Sequence, residues 1–158
     1  MNLQAILDAT AAIAGGAAVA GRAGAYKGTG GITGVKIAFS LVPEIADLTE
    51  DGPAHVSWWD GVERTGGAGD LTVYTHTIKM QLCLSLGRSN LPKAISILTP
   101  FVPLYFAAFA AKVKLNSTCS VATLDRSPGI VESIYPDRLA LEWSMTAVEK
   151  EAVTYVAA

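Results

Sequence analysis

Few side chains in this chain could carry chemistry. There are two histidines, His55 and His76, and two cysteines, Cys83 and Cys119. A zinc centre takes three or four ligands held close together, and two histidines with two distant cysteines do not supply that set. The cysteines lack the CxxC spacing of a redox or metal motif and suit a reduced, cytosolic protein better than a disulfide framework. A nucleophilic cysteine needs a basic neighbour or a helix N-terminus to lower its pKa. Cys83 instead falls on the polar face of a long strand, where a small packing residue is the expectation. By parity His76 shares a face with Ile78 and Met80 near the outer end of that strand. His55 stands just before a tryptophan pair and reads as a loop-edge residue. Gly28-Thr-Gly-Gly-Ile-Thr-Gly34 fails as a phosphate loop, because Lys27 precedes the glycines and no Gly-Lys-Ser/Thr follows them. Its spacing also misses the dinucleotide fingerprint at Thr33. Neither a catalytic set, a metal nor a cofactor is expected.

The acids are unevenly placed. Glu44, Asp47, Glu50, Asp51, Asp60 and Glu63 lie between Ile37 and Glu63 with no Lys or Arg among them. The first four lack the one-three-five spacing of an EF-hand calcium loop. They read as a solvated loop or as an acidic surface that repels nucleic-acid phosphate or docks a basic partner. Trp58 and Trp59 point to opposite faces of one strand, so one of them is expected either at a surface, as an interface anchor, or as a second core tryptophan. After them, Asp60–Asp70 contains four glycines and reads as a hairpin loop. With Asp60, Glu63, Arg64 and Asp70 it carries both signs of charge, which suits registration between neighbours.

The elements that position these residues follow from periodicity. In Thr72–Leu86 the apolar Ile78, Met80, Leu82, Leu84 and Leu86 alternate with Thr75, Thr77, Lys79, Gln81 and Ser85. Alternation with period two predicts a strand with one buried and one wet face. Arg138–Val148 repeats it, with Leu139, Leu141, Trp143 and Met145 on one side. Leu3, Ile6, Leu7, Thr10 and Ile13 are spaced for an N-terminal helix that stops at Gly15-Gly16. A flexible glycine-rich segment follows, near residues 15–34. Short strands are predicted at Val35–Leu41, Pro53–Trp59, Ser117–Leu124 and Ile130–Tyr135. Ala94–Ala111 has no charge and approaches membrane-spanning length, but Pro100 and Pro103 make it a buried, kinked helix with Ile95, Leu98, Val102, Tyr105, Phe106, Phe109 and Val113 on its apolar face. The fold class is therefore α+β: a mostly antiparallel sheet, one face covered by the N-terminal helix and the broken apolar helix. With no repeat and no linker, residues 1–158 are expected to form one domain.

Composition narrows the function. The chain has 158 residues, 51% of them apolar and only 16% charged. Ordinary soluble domains carry roughly a quarter charged residues, so a chain this poor in charge hides surface in an oligomer or a membrane. A formal net charge of −2 and scattered Lys and Arg argue against binding to phosphate backbones. With no base before Arg22 the N-terminus lacks the positive region of a secretory signal.

Three passages carry a resemblance. They are the strand His76-Thr-Ile-Lys-Met-Gln-Leu-Cys-Leu-Ser with the turn and helix after it, Phe106-Ala-Ala-Phe-Ala-Ala-Lys-Val-Lys-Leu-Asn116, and Ile134-Tyr-Pro-Asp-Arg-Leu-Ala-Leu-Glu-Trp-Ser-Met-Thr146. Together with the order of elements, they make the chain resemble the tail terminator (tail completion or minor tail) family of long-tailed bacteriophages. The double-proline helix and the glycine-rich segment depart from that pattern. The resemblance implies a structural virion protein, assembled in the host cytoplasm, that forms a homo-oligomeric ring, usually a hexamer. The ring caps the tail tube protein, meets the head-side connector or stopper protein, and lets DNA pass without specific binding. A closed ring requires heterologous interfaces. On this reading Trp58, Trp59, Asp60, Glu63, Arg64 and Asp70 face a neighbouring subunit or the tail. Other expectations consistent with the sequence are another neck or minor tail protein, a small-molecule-binding α+β domain, and a membrane-active protein using Ala94–Ala111.

Overall fold

The computed structural model describes residues 2–44, 48, 52–66, 71–125 and 127–152. In chain order the elements are α1 (Leu3–Gly15), β1 (Ala25–Tyr26), β2 (Ile37–Phe39), β3 (Ala54–Gly66), β4 (Leu71–Cys83), a 3-10 turn (Arg88–Asn90), α2 (Leu91–Leu98), α3 (Phe101–Ala110), β5 (Val121–Leu124), β6 (Gly129–Glu132) and β7 (Leu139–Ala152). The strands form one seven-stranded sheet in the order β1-β2-β3-β4-β7-β5, with β6 also paired to β7. Every pairing is antiparallel except β2 with β3. The architecture is α+β, as the alternation predicts.

β4 is the axis of the sheet. It pairs along its length with β3 on one side and β7 on the other. Ile78, Met80, Leu82 and Leu84 are buried on one face, beside Leu141, Trp143, Met145 and Ala147 of β7. Ile6, Leu7 and Ile13 of α1, with Leu98, Phe101, Tyr105 and Phe109 of α2 and α3, close over them. Each large apolar side chain buried this way contributes roughly 1.5–3 kcal/mol.

The helical layer breaks where the prolines fall. α2 and α3 are bent by 50°. Pro100 has no N–H for the Ser96 carbonyl, and the Thr99 N–H and hydroxyl both turn to the Ile95 carbonyl, at 3.0 and 2.6 Å. Pro103 sits in the first turn of α3, where a missing donor is harmless. Among the described residues no single helix is long and apolar enough to cross a membrane. Ile95 and Val113, expected on the buried face, are 44% and 47% exposed, and Val113 lies beyond the end of α3 at Ala110.

Four other expectations change. First, β3 does not end at Trp59. It runs to Gly66 through a bulge between Trp59 and Val62, and pairing resumes at Val62↔His76. Most of the expected Asp60–Asp70 loop is therefore strand, and residues 67–70 lie outside the described residues. Second, segment 15–34, read as loop, contains β1 and touches the end of α1. The Ile32 N–H bonds the Ala14 carbonyl at 2.9 Å. Gly31 lies so near the Gly15 backbone that a Cβ would collide with it. Third, β5 begins only at Val121, since Leu115, Asn116 and Ser117 turn through positive φ. Fourth, the outward face of the sheet is not uniformly wet. Ala54, Val56, Cys83 and Ala140 are buried there with Phe39, Leu48 and Tyr135. The Tyr135 hydroxyl donates to the Pro43 carbonyl at 2.7 Å and pins this second, smaller core.

Candidate assembly surface

The chemically able side chains are used inside the fold. His55, expected at a loop edge, is fully buried under α3. Its Nδ1 lies 2.8 Å from the Tyr105 hydroxyl, and Nε2 has no partner. Burial pushes its pKa down to about 3, so the ring is neutral. Tyr105 stacks on Trp143 with ring centres 4.2 Å apart, and burial raises its hydroxyl well above the usual tyrosine range. His76 is also buried. Its Nε2 is 3.1 Å from Glu149 Oε2, while Glu149 Oε1 accepts the Asn2 N–H at 2.7 Å. That carboxylate joins the start of α1 to β7.

On the outward face Gln81 is the hub. Its amide donates to Glu142 at 2.7 Å, and its carbonyl accepts from the Ser133 hydroxyl and the Ile134 N–H, both at 3.1 Å. Cys83 lies 3.3 Å from the Ser133 hydroxyl, and burial raises its thiol to about 11, the opposite of what a nucleophile needs. Among the described residues no three or more His, Cys, Asp or Glu converge as metal ligands. A cleft of about 320 Å³ between Ile13, Ile32 and Leu104 is at the small end for ligand pockets, which run roughly 300–1,000 Å³.

The surface that stands out is the outer edge of β3. β2 covers only Ala54–Val56, so beyond it β3 has no strand on its outer side among the described residues. Trp59 and Val62 are 44% and 39% exposed along this edge. The bulge puts both on the helix-bearing face: Trp59 is level with the buried Ile78, and Val62 with the buried His76. Gly61 makes the bulge possible at φ 132°, a conformation costly for other residues. Asp60, Glu63 and Arg64 are exposed around it.

The structure thus gathers Trp58, Trp59, Asp60, Glu63 and Arg64 on one strand. Trp58 is half-buried against the second core and Trp59 is the exposed one. Glu44 is exposed beside Pro43. Asp47, Glu50, Asp51 and Asp70 lie outside the described residues. Val62 escaped the sequence reading because the stretch around it read as loop. A groove of about 260 Å³ between α3 and β5, lined by Phe106, Phe109, Val113, Val121, Ala122 and Leu124, was equally hidden. Its lining comes from two segments, each unremarkable alone.

No protein-family model and no curated protein sequence matches this chain.

Proposed function

We propose that this chain is a structural virion protein of a long-tailed bacteriophage. In this reading it resembles a tail terminator, forming a ring that caps the tail tube and joins it to the head-side connector. The observation that supports this most is the β3 edge: a long strand left open on its outer side, with a tryptophan and a valine exposed along it. Such an edge offers unpaired main-chain groups to another chain. The low charge fraction fits surface covered by subunits. The resemblance rests on the order helix, glycine-rich loop, two short strands, long strand, broken helix and closing strands, and the chain order α1, β2, β3, β4, α2, α3, β5 to β7 is compatible with it. The polar groups are spent on internal contacts, and the proposal assigns the protein no reaction. With a net charge of −2 it offers a passing DNA little to bind.

Two measurements test this. Native mass spectrometry of the purified protein should give a closed ring, expected as a hexamer. Added to growing tubes of the cognate tail tube protein, it should stop elongation and appear by electron microscopy as a cap at one end. A protein that stays monomeric at all concentrations and leaves tube growth unchanged would refute the reading.

A further inference from the structure

The cleft beside Leu104 continues into a second one. The first is walled by Ile13, Ile32, Leu104, Ala108 and Ala111, and the second lies between Ala12, Gly16, Thr29 and Asn116. Each is about 320 Å³, and they share Ile13, Gly30 and Lys112. The first is bounded mostly by carbon, whereas Thr29 and Asn116 bring polar groups to the second. Lys112, at the junction, is the one charged residue in either lining. It has no ion-pair partner among the described residues. The carbonyls of Ala12 and Ala14, near the end of α1, already accept the Gly16 and Ile32 N–H groups at 2.9 Å. At Gly30, with φ 95°, a Cβ would meet nothing, so the missing side chain leaves the junction clear. Asn116 belongs to a turn in which Leu115, Asn116 and Ser117 take φ of 43°, 54° and 68°. Successive left-handed residues are costly without glycine, and such strain gathers at ligand sites. The wholly buried Leu115 anchors this turn, which sets Asn116 and Lys112 against one cleft.

We propose that the joined clefts bind a medium-chain aliphatic carboxylate. Its chain lies against Ile13, Ile32, Leu104 and Ala108, and its carboxylate meets the Lys112 ammonium and the Asn116 amide at the junction. Small-molecule sites combine in this way a mostly apolar wall with a few polar groups that fix orientation. The single unpaired lysine decides the sign of the ligand. A cationic amphiphile would bring like charge against Lys112, and an uncharged one would leave the lysine without a partner. The apolar wall decides the rest, since a short carboxylate would reach Lys112 and leave the first cleft empty. The site shares no residue with the β3 edge and does not rest on the ring reading.

The test is calorimetric titration of the full-length protein with sodium octanoate below its micellar concentration. Octanoate should bind saturably at a single site per chain. Octylamine, with the same chain and the opposite charge, should not bind, nor should acetate, with the same head and no chain. Lys112→Gln should weaken octanoate binding about tenfold or more, the factor that goes with losing one charge-assisted hydrogen bond. Leu104→Glu, which sets a like charge beside the ligand's chain, should abolish it. Both positions are exposed, and circular dichroism checks that each variant is folded. Lys114→Gln, two residues on and outside both linings, should bind as the wild type does. As a second measurement, octanoate should slow acetylation of Lys112 by an N-hydroxysuccinimide ester, read by mass spectrometry, and leave Lys114 unaffected. No saturable binding of octanoate overturns the proposal. So does octylamine or acetate binding as tightly as octanoate, unchanged affinity in the Lys112 and Leu104 variants, or equal protection of the two lysines.

Discussion

His55 Nδ1 and the Tyr105 hydroxyl lie 2.8 Å apart in the interior, joining β3 to α3. The contact links the central sheet to the bent helical layer at a point where neither group meets water. Tyr105→Phe leaves the imidazole without a partner on either nitrogen. It should destabilise the fold by about 1–3 kcal/mol in urea unfolding, the cost of an orphaned buried polar group. Replacing both, as His55→Leu with Tyr105→Phe, should recover part of that loss. An unchanged unfolding midpoint in the single variant would show that the contact contributes nothing.

The same histidine makes stability depend on pH, and the sign follows from burial. Its folded pKa, about 3, is below the unfolded value of 6.5. The unfolded chain therefore takes up a proton first as pH falls. Stability is fully present above about pH 6.5 and declines as pH drops toward 3, by up to about 1.4 kcal/mol per pH unit. Carboxylates add to the decline at the acid end. The difference between wild type and His55→Gln isolates the histidine, and parallel curves between pH 6 and pH 5 would contradict the assignment.

Gln81 should be the costliest polar residue to lose on the outward face. Gln81→Leu removes the acceptor of the Ile134 N–H and one acceptor of the Ser133 hydroxyl, which keeps Cys83 and the Tyr135 N–H as partners. The expected loss is about 1–3 kcal/mol. Hydrogen exchange at Ile134 should accelerate beyond what the global loss explains. Unchanged exchange there would mean that Gln81 does not hold the 133–135 segment down.

Three glycines should separate by surroundings. At Gly31 a Cβ would strike the Gly15 backbone, so Gly31→Ala should lower stability by about 1–3 kcal/mol. Gly61→Ala meets open space but keeps a φ of 132°, and should cost on the order of 1–3 kcal/mol through strain alone. Gly66→Ala meets neither obstacle and should be near neutral. Thermal melts of the three decide it, and a neutral Gly31→Ala would mean that the 28–34 loop does not rest on α1.

The two cysteines should react at very different rates. Cys119 is partly exposed, whereas Cys83 is buried with its thiol raised to about 11. A thiol reagent at neutral pH should modify Cys119 in the native protein and Cys83 only on unfolding. Equal native-state rates would contradict the buried placement of Cys83.

The sequence was most legible where one residue pattern decides the outcome. In β4 the alternation from Ile78 to Leu84 names the buried face, because period two leaves no other arrangement for so many apolar side chains. Pro100 announced the bend because it removes a donor inside the apolar run. The distal half of β3 was illegible for the converse reason. The bulge spaces Trp59 and Val62 three apart, so alternation slips, and Gly61 and Gly66 look like turn residues. His55 could not be placed because its partner is on another element fifty residues away. The outward face misled because Cys83 belongs to a buried cluster with Leu48 and Tyr135, which no local pattern brings to it.

The bulge between Trp59 and Val62 has one more effect. An open strand edge is a template for runaway stacking into fibrils, and the defence is to spoil its flatness. Here the extra residue puts the main-chain donors and acceptors around Asp60 and Gly61 out of step with any straight newcomer. The flanking acids make close approach by another bare strand costly. An unrelated strand meets a crooked, charged rim, whereas a partner shaped to receive two protruding apolar side chains does not need the rim to be straight.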